Sequence, residues 1–332
     1  MPMYKIQIEG QGTFNCAADD VLLRGGLREG LGIPYECNAG GCGTCKIEVL
    51  SGEVENLWAD APGLSDRDKR KGRLLACQCR PKSDCVIKLR LDEKCVPKVI
   101  PKLQKVKLKH VQLVTHDILE VHLQSDEPAQ FIPGQYALVW VNQELLRAYS
   151  MSNLPNDDGL WVFQIRRVPD GKMTNLLFDE QLREKADIQI DGPYGLAHLQ
   201  EQPRPIVCVA GGSGLAPMLA IARGVAVNPH LQHHKVWFFH GGREQRDLFT
   251  ENQLRDWTEL GERLNYVPAT SSQFIEGIRS GFIHEVIQDV LGEHLIEHEI
   301  YCAGPPPMVK SIEQLAHQVG IPHQQIHFDR FF

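Results

Sequence analysis

The 332-residue chain has no run of the roughly 18 consecutive apolar residues that would span a bilayer as a helix. Its opening, MPMYKIQIEG, reads as a short alternating strand without the apolar core of a secretion signal. Both absences lead us to expect a cytoplasmic protein with no membrane partner. An excess of positive charge is missing too: the net charge is -7, which argues against general nucleic-acid binding. The chain also lacks low-complexity tracts and internal repeats, and so a disordered bulk or a solenoid.

What is present is a chain long enough for two or three domains, each with its own core, and we expect it to act as a monomer. Hydrophobic residues make up 42% of it and charged residues 23%, with 29 glycines and 20 prolines, the composition of a globular chain with many turns. Ten cysteines in a reducing compartment do not make a disulfide framework. Cys16, Cys37, Cys42, Cys45, Cys77, Cys79, Cys85 and Cys95 all fall in the first hundred residues, which points to a metal site there. The one dense basic run, DRDKRKGR at Asp66–Arg73, also contains acids; it reads first as a solvated face and second as a docking patch.

Composition divides the chain into three segments, 1–97, 98–200 and 201–332. The breaks lie in the Pro- and Lys-rich stretch CVPKVIPKLQK and around QEQPRP. The first segment has an α+β pattern: short alternating strands, a helical stretch near Val21–Gly30 and a glycine-rich cysteine loop. The second repeats strand patterns (VKLKHVQLV, ILEVHLQ, YALVWV, LWVFQIRRV, DIQID) with one helix near Thr174–Arg183, the rhythm of a small antiparallel β-barrel. The third alternates buried strands (PIVCVAGG, KVWFFHGG, HEIYCAG) with helical stretches, which predicts an α/β parallel sheet with crossover helices.

In the cysteine loop, Cys37-Asn-Ala-Gly-Gly-Cys42-Gly-Thr-Cys45 has the C-x4-C-x2-C spacing of plant-type [2Fe-2S] proteins, with a fourth thiolate required from far downstream. Gly40, Gly41 and Gly43 permit the tight fold around an iron pair, and their amides can donate to sulfur. A zinc ribbon would want paired C-x2-C knuckles instead. Cys77 and Cys79 both stand where a fourth ligand is needed. No Cys-x-His pair supplies Rieske ligands. The stretch PYECNAGGCGTCKIEVLSGEV, followed by LLACQC, resembles the plant-type ferredoxin family in a β-grasp-like fold, and that resemblance implies Cys77 as the distal ligand, joining Cys37, Cys42 and Cys45. Cys79, Cys85, Cys95 and Cys16 are then spare thiols.

Arg147-Ala148-Tyr149-Ser150 at a strand end and Gly171-Lys172-Met173-Thr174 opening a helix resemble the flavin domain of the ferredoxin-NAD(P) reductase superfamily. An Arg suits a pyrophosphate, a Tyr ring can pack on an isoalloxazine, and the Ser150 hydroxyl can reach flavin N5, where hydride arrives. Backbone amides and the Thr174 hydroxyl at the helix start suit phosphates. Alone, R-x-Y-S equally fits a surface Arg beside a core Tyr; its place between the cysteine loop and a nucleotide segment selects FAD. Asp191-Gly192-Pro193-Tyr194-Gly195 matches a structural turn of that family.

Strand PIVCVA runs into Gly211-Gly212-Ser213-Gly214-Leu215-Ala216-Pro217-Met218, a glycine turn where α/β sheets bind nucleotides. Pro217 replaces a third glycine and fits a first helical turn. Both this loop and Ala303-Gly304-Pro305-Pro306-Pro307-Met308 resemble the reductases' nicotinamide loops, with Ala303 where the family pattern has cysteine. Cys302, one place earlier, should face the other side of its strand. An aromatic at the chain end over the flavin is a further implication of the resemblance, with Phe332 among the candidates. Ala269–Gln273 lacks the Arg that would grip a 2'-phosphate, favouring NADH; Arg243 and Arg246 keep NADPH open.

The order ferredoxin, flavin, nicotinamide resembles the NADH-dependent reductase components of bacterial multicomponent oxygenases, most like the toluene monooxygenase reductases in HFDRFF and PYECNAGGCG. That resemblance implies hydride from NADH onto FAD and single electrons through the [2Fe-2S] cluster to an oxygenase component or a Rieske-type ferredoxin, for aromatic hydrocarbon hydroxylation. No Glu-x-x-His pair marks the chain itself as the di-iron oxygenase. Two other readings remain: an iron-sulfur flavoprotein reductase of deoxysugar biosynthesis, which shares this domain order, and a non-enzymatic redox sensor.

Overall fold

The computed structural model describes residues 1–142, 145–248 and 251–330. Two compact units emerge: residues 1–103 together with 191–196, and residues 104–190 together with 197–330.

The first unit begins with the hairpin β1 (Met3–Ile8) and β2 (Gly12–Ala17), paired with Ile6 opposite Phe14. Ile6, Ile8, Phe14 and Cys16 are buried at two-residue spacing, so one face of the hairpin is a core face. Helix α1 (Leu22–Arg28) buries Leu22, Leu23 and Leu27. A Cβ on Gly25 would come within 2.7 Å of the Cys16 sulfur, so glycine there sets how closely helix and sheet approach. The chain continues through β3 (Lys46–Ser51), β4 (Val54–Asn56), α2 (Asp66–Arg70), β5 (Leu74–Leu75), β6 (Cys79–Pro81) and β7 (Cys85–Lys88). Five strands form a mixed sheet in the order β2-β1-β7-β3-β5, with β1 and β7 parallel, while β4 and β6 pair separately. A mixed sheet with one helix packed on it is the β-grasp expected from the sequence.

The barrel strands and helices are β8 (Lys102–Thr115), β9 (Ile118–Ser125), β10 (Tyr136–Val141), β11 (Leu145–Ser150), β12 (Leu160–Arg166), the short helices α3 (Lys172–Phe178) and α4 (Glu180–Glu184), and β13 (Ile188–Tyr194); all belong to the second unit except the start of β8 up to Leu103 and the end of β13 from Asp191. The sheet order is β11-β10-β13-β8-β9-β12. A bridge between Met151 and Phe163, with the Ser152 amide on the Val162 carbonyl at 2.8 Å, joins the two edges and closes the barrel. Val121, Leu123, Val139, Trp161, Phe163 and Ile190 fill it. The single helix expected over Thr174–Arg183 is instead two, divided at Asp179. That residue is extended, and its carboxylate caps the Leu182 amide at 3.1 Å, which starts a new helix rather than continuing the old one.

The remainder of this unit runs β14 (Ile206–Gly211), α5 (Leu215–Val227), β15 (Val236–Gly242), α6 (Glu251–Thr258), β16 (Leu264–Thr270), β17 (Arg279–Ser280), α7 (Ile283–Leu291), β18 (Glu299–Gly304), α8 (Pro306–Val319) and β19 (Ile326–Arg330). All its strand pairs are parallel, in the order β17-β16-β15-β14-β18-β19. The first strand is central: the chain builds outward through β15, β16 and β17, then returns to add β18 and β19 on the other side. Between β14 and β18 the direction of winding reverses, and such a switch point opens a crevice at the strands' carboxyl ends. Among the described residues, no helix is long and apolar enough to cross a membrane.

Candidate functional site

Three places on the chain carry chemistry. In the first unit, the loop before β3 bends through Asn38, Gly40 and Gly43, all at positive φ. A Cβ on Gly43 would lie 2.2 Å from the Gly63 carbonyl oxygen, so only glycine fits. Gly41 is not at positive φ; the third such residue is Asn38, a type that tolerates this conformation.

The loop brings the thiols together as two pairs. The Cys37 thiol donates to the Cys42 sulfur at 3.3 Å, and Cys45 hydrogen-bonds Cys77. Amides of Ala39 and Cys42 donate to the Cys37 sulfur at 3.4 Å each, and that of Thr44 to Cys42 at 3.5 Å. Of the three glycine amides expected as donors, Gly40 serves, on Cys77. These donors favour thiolates: the hydrogen bond from Cys37, aided by the hydroxyl and amide of Thr44, draws the Cys42 thiol down to about 4. The hydrogen bond from Cys45 likewise lowers Cys77. Cys79 is buried in β6 and pushed up to about 12 by that burial.

Among the described residues, no three acidic, His or Cys side chains gather as around a single ion. Two pairs of thiols are what a two-iron cluster requires, since each iron takes two. Asn38 is buried, with neither side-chain nitrogen nor oxygen hydrogen-bonded. A buried amide without a protein partner beside four thiols fits a further polar group there.

The second place is the end of β11. Arg147 is exposed, its guanidinium donating to the Leu146 carbonyl at 2.7 Å, and Tyr149 packs against the barrel core. Ser150 is buried and donates to the Asp329 carboxylate of β19 at 2.8 Å. Burial pushes Asp329 up to about 6, opposed by the Ser150 hydrogen bond. Sequence reasoning missed Asp329, whose only signal was its place in the terminal HFDRFF stretch. At the start of α3, Gly171 and Lys172 are accessible, whereas Met173 is core. The Thr174 hydroxyl is already engaged, donating to the carbonyls of Val168 and Gly171 at 3.2 and 3.1 Å. Phe332 lies outside the described residues.

The third place is the switch point. A cavity of about 170 Å³ is bounded by Gly211, Gly212, Gly241, Ser271, Pro305 and Arg166 among others. Ser213 is half-buried in the turn. A Cβ on Gly214 would fall 1.9 Å from the Ala303 carbonyl oxygen, and one on Gly304 2.5 Å from the Met308 methyl, so the loops after β14 and β18 close on each other through glycine. Ala303 and Cys302 pack into opposite cores, as the strand's period of two requires. Arg166, unforeseen from sequence, pairs with Asp117 at 2.6 Å and lies 2.8 Å from where a Gly212 Cβ would be, placing a cation over the glycine turn. Glycine amides, a helix start and an Arg over an open cavity suit a dinucleotide pyrophosphate.

Sequence comparison matches the 2Fe-2S iron-sulfur cluster binding domain over residues 6–82, the oxidoreductase FAD-binding domain over 105–199 and the oxidoreductase NAD-binding domain over 208–314. The chain is 41% identical to the ferredoxin--NAD(P)(+) reductase CarAd of Metapseudomonas resinovorans, over 99% of this chain and 100% of that one. It belongs to the ferredoxin-NAD(P)+ reductase components of aromatic oxygenase systems. The xylene/toluene monooxygenase electron transfer component XylA of Pseudomonas putida is 32% identical, over 100% of this chain and 94% of that one. Among solved structures, the ferredoxin reductase in carbazole 1,9a-dioxygenase superposes with a TM-score of 0.90 at 38% identity, over 100% of this chain and 99% of that one. Members of this family are oxidoreductases, and this chain carries their [2Fe-2S], FAD and NAD domains and the fold class expected from its sequence.

Proposed function

We propose that this reductase takes hydride from NADH and delivers single electrons to an oxygenase component or a Rieske-type ferredoxin, in the service of aromatic hydrocarbon hydroxylation, working as a cytoplasmic monomer. The observation that carries the reading is one chain holding both a cavity at a sheet switch point and two pairs of thiols, three from a glycine loop and Cys77 from a downstream turn. When bound, the three groups supply the conversion of a two-electron donor into one-electron steps, which FAD alone can make because it accepts hydride and releases electrons singly.

The chain's own residues bind and orient. Cys37, Cys42, Cys45 and Cys77 hold the cluster. Arg147 and the amides around Gly171, Lys172, Met173 and Thr174 answer the FAD phosphates, with the Thr174 hydroxyl fixing the turn rather than meeting the ligand. Tyr149 supplies a packing surface, and Ser150, held by Asp329, presents a hydroxyl at the barrel end. Gly211, Gly212, Ser213 and Gly214 form the NADH phosphate turn, opposite Ala303, Gly304 and Pro305. Asp247 in the cavity wall favours NADH, since a 2'-phosphate would meet a carboxylate, whereas Arg243 lines the same cavity and leaves NADPH as the alternative that the coenzyme comparison decides. Cytochrome c reduction measured with each coenzyme tests the reading. Rapid turnover with NADH supports it; no reduction of any one-electron acceptor overturns it.

A further inference from the structure

The basic run, read from the sequence first as a solvated face and second as a docking patch, lies on α2 and the turn after it, and Lys69 of α2 pairs with Asp60, two residues beyond Trp58. Trp58 is 44% exposed, and its six-membered ring lies 3.1 Å from where a Gly40 Cβ would be, so an exposed indole sits directly on the cysteine loop. Leu57 beside it is 41% exposed, and its amide is tied to the Gln78 carbonyl at 2.8 Å, next to Cys77. The segment carrying Leu57 and Trp58 is stapled to α2 by Lys69 and Asp60 at 2.9 Å, and Asp68 of α2 holds Lys46 and Arg73 at 3.0 Å each. With those acids consumed, Arg67, Arg70 and Lys71 stand exposed, with no carboxylate within 4.0 Å among the described residues.

We infer that Trp58 and Leu57, flanked by Arg67, Arg70 and Lys71, form the docking face for the one-electron acceptor, and that this acceptor presents an acidic surface around its own redox centre. The inference rests on the reductase reading and adds the partner's chemistry. An aromatic anchor with a charged border is the composition of a protein interface centre and rim. Unpaired rim cations raise the encounter rate with an acidic partner and repel a basic one. The anchor touches the loop that carries the thiols, where an acceptor must approach closely. Asp66, exposed at the start of α2, is the one carboxylate of that helix left outside the pairs above.

The test uses the full chain with two haem acceptors of opposite charge, acidic cytochrome b5 and basic cytochrome c, at low ionic strength. For R67Q/R70Q/K71Q we expect kcat/KM for cytochrome b5 to fall about tenfold and cytochrome c reduction to hold or rise. Calorimetric titration of oxidised cytochrome b5 should show the same loss of affinity, independently of turnover. Trp58→Ala should weaken that binding without changing its salt dependence. Equal losses for both cytochromes, or an unaltered cytochrome b5 affinity, would overturn the docking face. If the wild type reduces neither cytochrome nor ferricyanide, the reductase reading fails, while the titration still decides the face.

Discussion

At the scale of single residues, the buried pair Ser150–Asp329 ties the flavin-side strand to the last strand of the parallel sheet. Asp329 ionises near 6 in the fold, against 3.8 for a free side chain. Between those values the native state holds a proton that the unfolded chain has released, so stability contributed by the neutral carboxyl falls as pH rises from about 4 to about 6. Unfolding measured across that window should therefore show wild type losing ground to Asp329→Asn. Since the Ser150 hydrogen bond lowers the carboxyl, Ser150→Ala should move the transition to higher pH. A second residue-scale prediction separates the two distal cysteines. Cys77→Ser should abolish the visible cluster spectrum and leave iron well below two per chain, while Cys79→Ser, which removes a buried thiol of β6, should retain it. Spacing alone left both cysteines open, because a separation of two residues does not say which one the 3-10 turn at Ala76–Gln78 delivers to Cys45.

At the scale of elements, sequence patterning was most legible where a period of two or a glycine turn has one structural solution. The opposed faces of Cys302 and Ala303 followed from strand geometry alone. Arg166 and Asp329 were invisible for the converse reason: each acts through a partner distant in sequence, Gly212 or Ser150, that only the closed fold supplies. The split of the Thr174–Arg183 helix was missed because the helix-forming residues continue past Asp179, whose capping role depends on its extended backbone. Glycines show the same division. Gly320 ends α8 at φ +79 with nothing near its missing side chain, and Gly320→Ala should cost about 1 kcal/mol of strain. Gly214 has an ordinary φ, but an added methyl would strike the backbone of Ala303, which cannot step aside as a side chain can. Gly214→Ala should exceed the roughly 1–3 kcal/mol of ordinary overpacking. It should also raise the KM for NADH, readable by thermal unfolding and steady-state titration.

At the scale of the whole molecule, the N-terminal unit is not a contiguous stretch of chain. Asp191–Leu196, read from the sequence as a structural turn of the flavin segment, groups with Met1–Leu103. Asp191, 3% exposed at its side chain, accepts from Arg28 at 2.7 Å and from the Tyr194 hydroxyl at 2.7 Å, with Arg24 at 3.5 Å. The Tyr35 hydroxyl accepts the Gly195 amide at 3.0 Å. Arg24 is itself buried, and Asp20 pairs with it at 3.0 Å and also with Arg28. Two arginines facing two carboxylates at this buried site make each member costly to lose, since removing one member of a buried ion pair typically costs about 3 kcal/mol. Asp191→Asn keeps the hydrogen-bonding shape and removes only the charge. In the full-length chain it should therefore lower the temperature at which the cluster absorbance is lost by several degrees, while the release of flavin fluorescence from the second unit shifts less. Equal shifts of the two signals would mean that the segment stabilises both units alike, and no shift would mean that the Asp191 charge is not needed to hold the two arginines.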